Sequence, residues 1–134
     1  MPYLRLPTIL LGVSLVFSGQ AAWAHHSPLA EFDPTTPVSV TGIIQRVVWE
    51  NPHVWFFVDV TGDHGTVTTW GFSTWPPGSL MRRGITKDVL AIGTVVNVEG
   101  ARARDGSTNS STRRLTLKDG SDVLESPEVY LGEQ

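Results

Sequence analysis

The chain has 134 residues, 40% of them hydrophobic, and Lys+Arg 10 against Asp+Glu 13 leaves a formal net charge of −3. That length fits one domain with a single modest core. Without cysteine it cannot be a thiol enzyme, a zinc finger, an iron–sulfur protein or a disulfide scaffold, and its weak acidity excludes nucleic acid as an expected partner, because nucleic-acid binders carry a basic face.

Met1 to Ala24 reads as a secretory signal peptide. Arg5 is the positive n-region, Leu6 to Gly19 an apolar run, and Ala22-Trp23-Ala24 an A-x-A cleavage site. The run is short of the roughly 20 apolar residues that a membrane-spanning helix needs, and no second such run follows. The expectation is an exported protein with no membrane span after cleavage, periplasmic in a cell with two membranes. Cutting after Ala24 makes His25 the N-terminus, followed by His26.

Residues 25–37 contain three prolines and no hydrophobic period, and are expected to form an extended arm. The barrel domain is expected over residues 38–126, with a loose tail over 127–134. Val38 to Trp49 is rich in β-branched residues and long for one strand, and Gly42 within it suggests a bend or bulge. Glu50-Asn51-Pro52 is a turn. Val54 to Val60 is the clearest strand: Val54, Phe56, Val58 and Val60 share one face, and Trp55, Phe57 and Asp59 the other. Residues 61–65 form a hairpin loop, and Thr66 to Ser73 return as the third strand.

Trp75-Pro76-Pro77-Gly78 then breaks the sheet. A short helix is expected over Ser79 to Arg83, with a further turn over Thr86 to Leu90. Thr94 to Arg102 is a fourth strand, Asp105 to Ser111 a flexible polar loop, and Thr112 to Lys118 a fifth strand. Val123-Leu124 is a short edge segment. Three strands, a short helix and two strands follow the plan of a mainly all-β, five-stranded antiparallel OB-like barrel, with the helix between strands three and four. An open sheet capped by the helix is the alternative.

His25-His26-Ser27, Glu31-Phe32-Asp33, Thr41-Gly42, Trp49-Glu50-Asn51-Pro52-His53-Val54, Arg82-Arg83-Gly84, Val98-Glu99-Gly100 and Arg104-Asp105-Gly106-Ser107 together resemble a family of small exported bacterial proteins of unknown function. The resemblance implies export and a small OB-like barrel, and it assigns no activity and no functional residue.

Two constellations carry possible chemistry. The first is a copper site. His25 offers its α-amino and ring nitrogens together, and copper(II) favours such nitrogen ligands in a tetragonal arrangement. His53, at the start of the second strand, is the preferred partner, with His26 in support. His64 lies past the far end of that strand, roughly 20 Å away at about 3.3 Å per residue. The plainer reading gives His53 a hydrogen bond to turn backbone and leaves the arm histidines incidental.

The second constellation is a ligand rim. In an OB barrel the loops joining strands one to two and four to five flank the usual ligand face. Trp49, Asn51 and Trp55 supply aromatic and amide groups, and Arg102 and Arg104 supply guanidinium groups, for a sugar, a peptide carboxylate or another acidic ligand. Trp55 and Phe57 are alternatively core residues of a half-buried strand.

No G-x-S-x-G turn, no H-E-x-x-H and no phosphate-binding Gly-rich loop occurs. The sequence therefore points to a binding or accessory module for an exported protein or a small ligand, with copper binding as the alternative.

Overall fold

The computed structural model describes residues 28–126. The leader over 1–24, His25, His26 and the tail over 127–134 lie outside the described residues. The elements run α1 (Pro28–Glu31), β1 (Phe32–Val48), β2 (Trp55–Thr61), β3 (Val67–Ser73), α2 (Pro77–Arg82), β4 (Val95–Ala103), β5 (Asn109–Ser111), β6 (Arg114–Leu117) and β7 (Asp122–Glu125).

The strand order β1-β2-β3-β5-β4, with β4 pairing back to β1, closes a five-stranded barrel. β1 makes the closure because it is long enough to serve two neighbours. Phe32 to Ile43 pair with β4, Ile43 to Val48 pair with β2, and Ile43 is shared between Val95 and Asp59. The strand bends hard where it changes partner. A Cβ on Gly42 would overlap the Asp59 carbonyl oxygen and the Val58 side chain, so only glycine fits that corner. The other hallmark of the closure is the parallel β3–β5 pair, Gly71 with Asn109 through Ser73 with Ser111.

The barrel interior is filled. Val54, just before β2, and Phe56 and Val58 within it point inward, meeting Ile44 of β1, Phe72 of β3, Val96 and Val98 of β4 and Leu115 of β6, all essentially without solvent contact. The Phe56 and Phe72 rings stack at 5.4 Å between centroids. α2 sits between β3 and β4 and drives Leu80 into the same core, while Met81 on its other side is exposed. Arg83, just past α2, lays its guanidinium 3.4 Å from the Trp75 ring centroid. The Thr86 carbonyl accepts from the Val89 and Leu90 N–H groups, giving the extra turn expected there.

Three stretches differ from the sequence expectation. The stretch read as an extended arm enters the sheet at Phe32, because Phe32 has its own apolar site against Ala101, Ala103 and Trp55 outside the barrel. The polar loop expected over 105–111 ends in a strand, β5, since Asn109 to Ser111 complete the barrel beside β3. The strand expected over Thr112 to Lys118 is shorter, β6 over Arg114–Leu117, because the Thr112 N–H turns to the Ser73 carbonyl and the Arg113 N–H to the Glu99 carbonyl. No helix among the described residues is long and apolar enough to cross a membrane.

Candidate functional site: the outer face of the first three strands

A filled interior leaves the outer surface to meet ligands. β2 alternates, so Trp55, Phe57 and Asp59 point outward, half-buried. The pairing sets Val48 beside Trp55, Arg46 beside Phe57 and Ile43 beside Asp59 on β1. It sets Ser73, Gly71 and Thr69 beside the same three residues on β3.

Arg46 reaches this face only because the β1 register shifts between Ile44 and Arg46. Gln45 is the extra residue, and such a bulge re-aims the side chains that follow it. The Arg46 guanidinium lies 3.6 Å from the Phe57 ring centroid. The Trp55 and Phe57 rings are stacked 6.4 Å apart along the strand. Phe57 lies over Gly71, where a Cβ would meet the ring at 3.1 Å and the Asn109 amide oxygen at 2.5 Å. Asp59 accepts a 2.6 Å hydrogen bond from Thr69 Oγ1. The result is a row of two rings with one guanidinium, one carboxylate and one carboxamide at its margins. Such groups recognise ring-shaped or hydrogen-bonding ligands by stacking and bidentate contacts.

Of the residues expected to bind ligand, Trp55 stands on this face. Trp49 packs half-buried against the barrel core, and Asn51 is exposed in the turn before β2. Arg102 is committed to its own loop, donating from Nε to the Ser107 carbonyl at 3.1 Å and from Nη2 to the Gly106 carbonyl at 2.6 Å. Arg104 fastens the N-terminal segment: its Nε donates to the Leu29 carbonyl at 2.9 Å, its backbone N–H to the Glu31 carbonyl, and Nη1 lies 3.8 Å from Asp33. Phe57 and Arg46 are the residues that sequence reasoning missed. The outward face of β2 was legible from alternation, but Arg46 depends on the bulge.

His53 Nδ1 lies 2.9 Å from the Thr74 carbonyl. A carbonyl only accepts, so Nδ1 carries the proton and Nε2 is the nitrogen left for other partners. Trp55, two residues after His53, packs against Phe32 at the start of β1, and His53 lies on the far side of it from the arm. Trp55 is level with Ser73, Ser73 with Ser111, and Ser110 with Arg102. The step from Trp55 back to His53 therefore runs opposite to the step from Ala101 on to Arg104, where the arm leaves the sheet. Among the described residues no group of three or more His, Asp or Glu is placed to hold a metal ion.

The chain belongs to a family described as "Family of unknown function (DUF6152)", whose model matches residues 13–112. No curated protein matches it. Among solved structures it is similar to the mitochondrial single-stranded DNA binding protein Rim1 of S. cerevisiae, at 12% identity and TM-score 0.48, covering 66% of this chain and 95% of that one. It is also similar to the N-terminal domain of the PriB protein of Thermoanaerobacter tencongensis, at 15% identity and TM-score 0.42, covering 62% of this chain and 96% of that one. At these identities the likeness is one of fold, the OB fold. It corrects one expectation. Nucleic acid was excluded on net acidity and export, yet a structural neighbour is named as a single-stranded DNA binding protein. The charge of a whole chain does not measure the charge of one face, so the exclusion does not stand.

Proposed function

We propose that this protein is an exported, non-catalytic binding module, periplasmic in a cell with two membranes, and that its ligand lies across the outer face of β1, β2 and β3. The observation that carries this reading is the line Trp55–Phe57–Arg46 on the convex side of a filled barrel. The face of strands two and three is also where OB barrels as a class take oligonucleotides and oligosaccharides, which supports the location by analogy of fold. The tryptophan fluorescence of the protein starting at His25 would be titrated with cellohexaose and with a single-stranded oligothymidine. Saturable quenching by one of them, weakened about threefold or more by Arg46→Ala, is the expected result, since a cation over a ring contributes on the order of 0.5–2 kcal/mol. Binding that Arg46→Ala leaves unchanged would place the ligand elsewhere.

A second reading is copper(II) binding by His25 with His53, and His26 in support. One observation favours it: a metal-binding histidine ordinarily donates its other ring N–H to a carbonyl, as His53 does to Thr74. It requires residues 25–27 to double back past Trp55. Copper titration of the wild type, His25→Ala and His53→Ala tests it. Tight one-to-one binding lost in both variants is the expected result, and weak binding equal in all three would remove it.

A further inference from the structure

The β2–β3 hairpin carries an unprotected strand edge. In β3, successive residues direct their backbone N–H and C=O alternately toward β2 and away from it. The Gly71 N–H donates to the Thr108 carbonyl, and the Ser73 carbonyl accepts from the Thr112 N–H, both at 2.9 Å. Thr108 Oγ1 donates to the Thr69 carbonyl at 3.0 Å. Residues 69, 71 and 73 thus face away from β2, and the same alternation turns the Val67 N–H and C=O away from it too. β5 meets β3 only over Gly71 to Ser73. Among the described residues no strand pairs with Val67 on that side.

Natural edges are blunted by charge, proline, a bulge or a covering element. Thr66-Val67-Thr68-Thr69 has none of the first three: it is uncharged, free of proline and regularly paired to β2 from Val67 onward. All four residues are β-branched and exposed, and Val67 keeps 55% of its surface in solvent.

We propose that this edge is a dimer interface, with β3 of a second copy of the chain pairing antiparallel about a twofold axis at Val67. The segment is complementary to itself under that axis. Each Val67 N–H meets the carbonyl of the other Val67, the Thr69 N–H faces the Gly65 carbonyl, and Thr66 stands opposite Thr68. No charge falls within the paired segment, so a second copy brings no like charges into register. Beyond Thr69 the path is closed by Thr108 and β5, which fixes the register and limits the contact. So short an edge makes a weak dimer, below the area of stable interfaces. Pairing would merge two outer faces into one continuous sheet, with Ile43, Val67 and the Trp55–Phe57 row on the same side.

Sedimentation velocity of the exported protein from about 10 μM to about 1 mM covers the range expected of such a contact. The sedimentation coefficient of the wild type rises with concentration toward the dimer. Val67→Pro removes an N–H that β2 does not use, and Val67→Lys sets two ammonium groups face to face, so each stays monomeric with its melting temperature retained. If the proline variant does not fold, Val67→Lys alone decides, because an exposed position accepts it. A wild type that is monomeric throughout, or a dimer that Val67→Lys retains, overturns the proposal.

Discussion

At Phe57 a guanidinium occupies one side of an aromatic ring that would otherwise face water. Arg46 is exposed, so its removal costs the fold little: Arg46→Ala is expected to change stability by about 1 kcal/mol or less while weakening ligand binding. Phe56, one residue along the same strand, behaves oppositely. Its ring is 1% exposed and stacked on Phe72, and Phe56→Ala is expected to cost about 3–5 kcal/mol in urea unfolding. A loss under about 1 kcal/mol would mean that the inward face of β2 is misassigned. His53 lies between these extremes. Its bond to the Thr74 carbonyl joins the start of β2 to the end of β3, and His53→Ala should cost on the order of 1–2 kcal/mol by leaving that carbonyl unpaired.

Element by element, what the sequence made legible was what depends on local alternation. β2 reads directly from its inward valines and Phe56, and α2 from the Pro-Pro-Gly break and the Gly84 stop. β5 was not legible, because Asn109-Ser110-Ser111 has no hydrophobic period. These residues form a strand because the barrel needs a parallel partner for β3, and Ser110 satisfies its own hydroxyl on the Ala101 and Ser111 carbonyls. The N-terminal part of β1 was hidden for a related reason. Its prolines suggest an arm, whereas Phe32 and the bonds from Arg104 tie it to β4. The bulge at Gln45 was invisible in sequence, and the candidate face depends on it. Deleting Gln45 removes the extra residue and sets Arg46 directly after Ile44, so the pairings Ile44–Val58 and Arg46–Phe57 continue as a regular ladder with every following side chain of β1 on its present face. That variant is expected to retain cooperative thermal unfolding by circular dichroism. A deletion variant that loses it would mean that the bend at the bulge is itself required for barrel closure.

At the scale of the whole molecule, surface electrostatics shape the response to acid. Hydrogen bonds from Thr35, with the Arg104 charge nearby, hold the Asp33 carboxyl below its ordinary value of 3.8, and hydrogen bonds from Ser121 do the same for Asp119. A carboxylate whose value is lower in the folded state stabilises the fold above pH 3.8, and that contribution is lost as pH falls through the folded value. Both groups are at the surface, so each effect is small. The melting temperature is expected to be flat near neutrality and to decline once pH drops below 3.8, with a shallower decline in Asp33→Asn. The ion pairs Arg113–Glu99 and Arg114–Asp122 are likewise exposed and contribute little. What holds the molecule is barrel closure around a filled core, and that closure leaves the outer face of β1, β2 and β3 as the face proposed to take the ligand. The most direct test maps amide shifts by nuclear magnetic resonance while cellohexaose or oligothymidine is added to the protein starting at His25. The account predicts shifts concentrated on residues 43–48, 55–59 and 69–73, and shifts confined to the 104–108 loop or to the turn before His53 would contradict it.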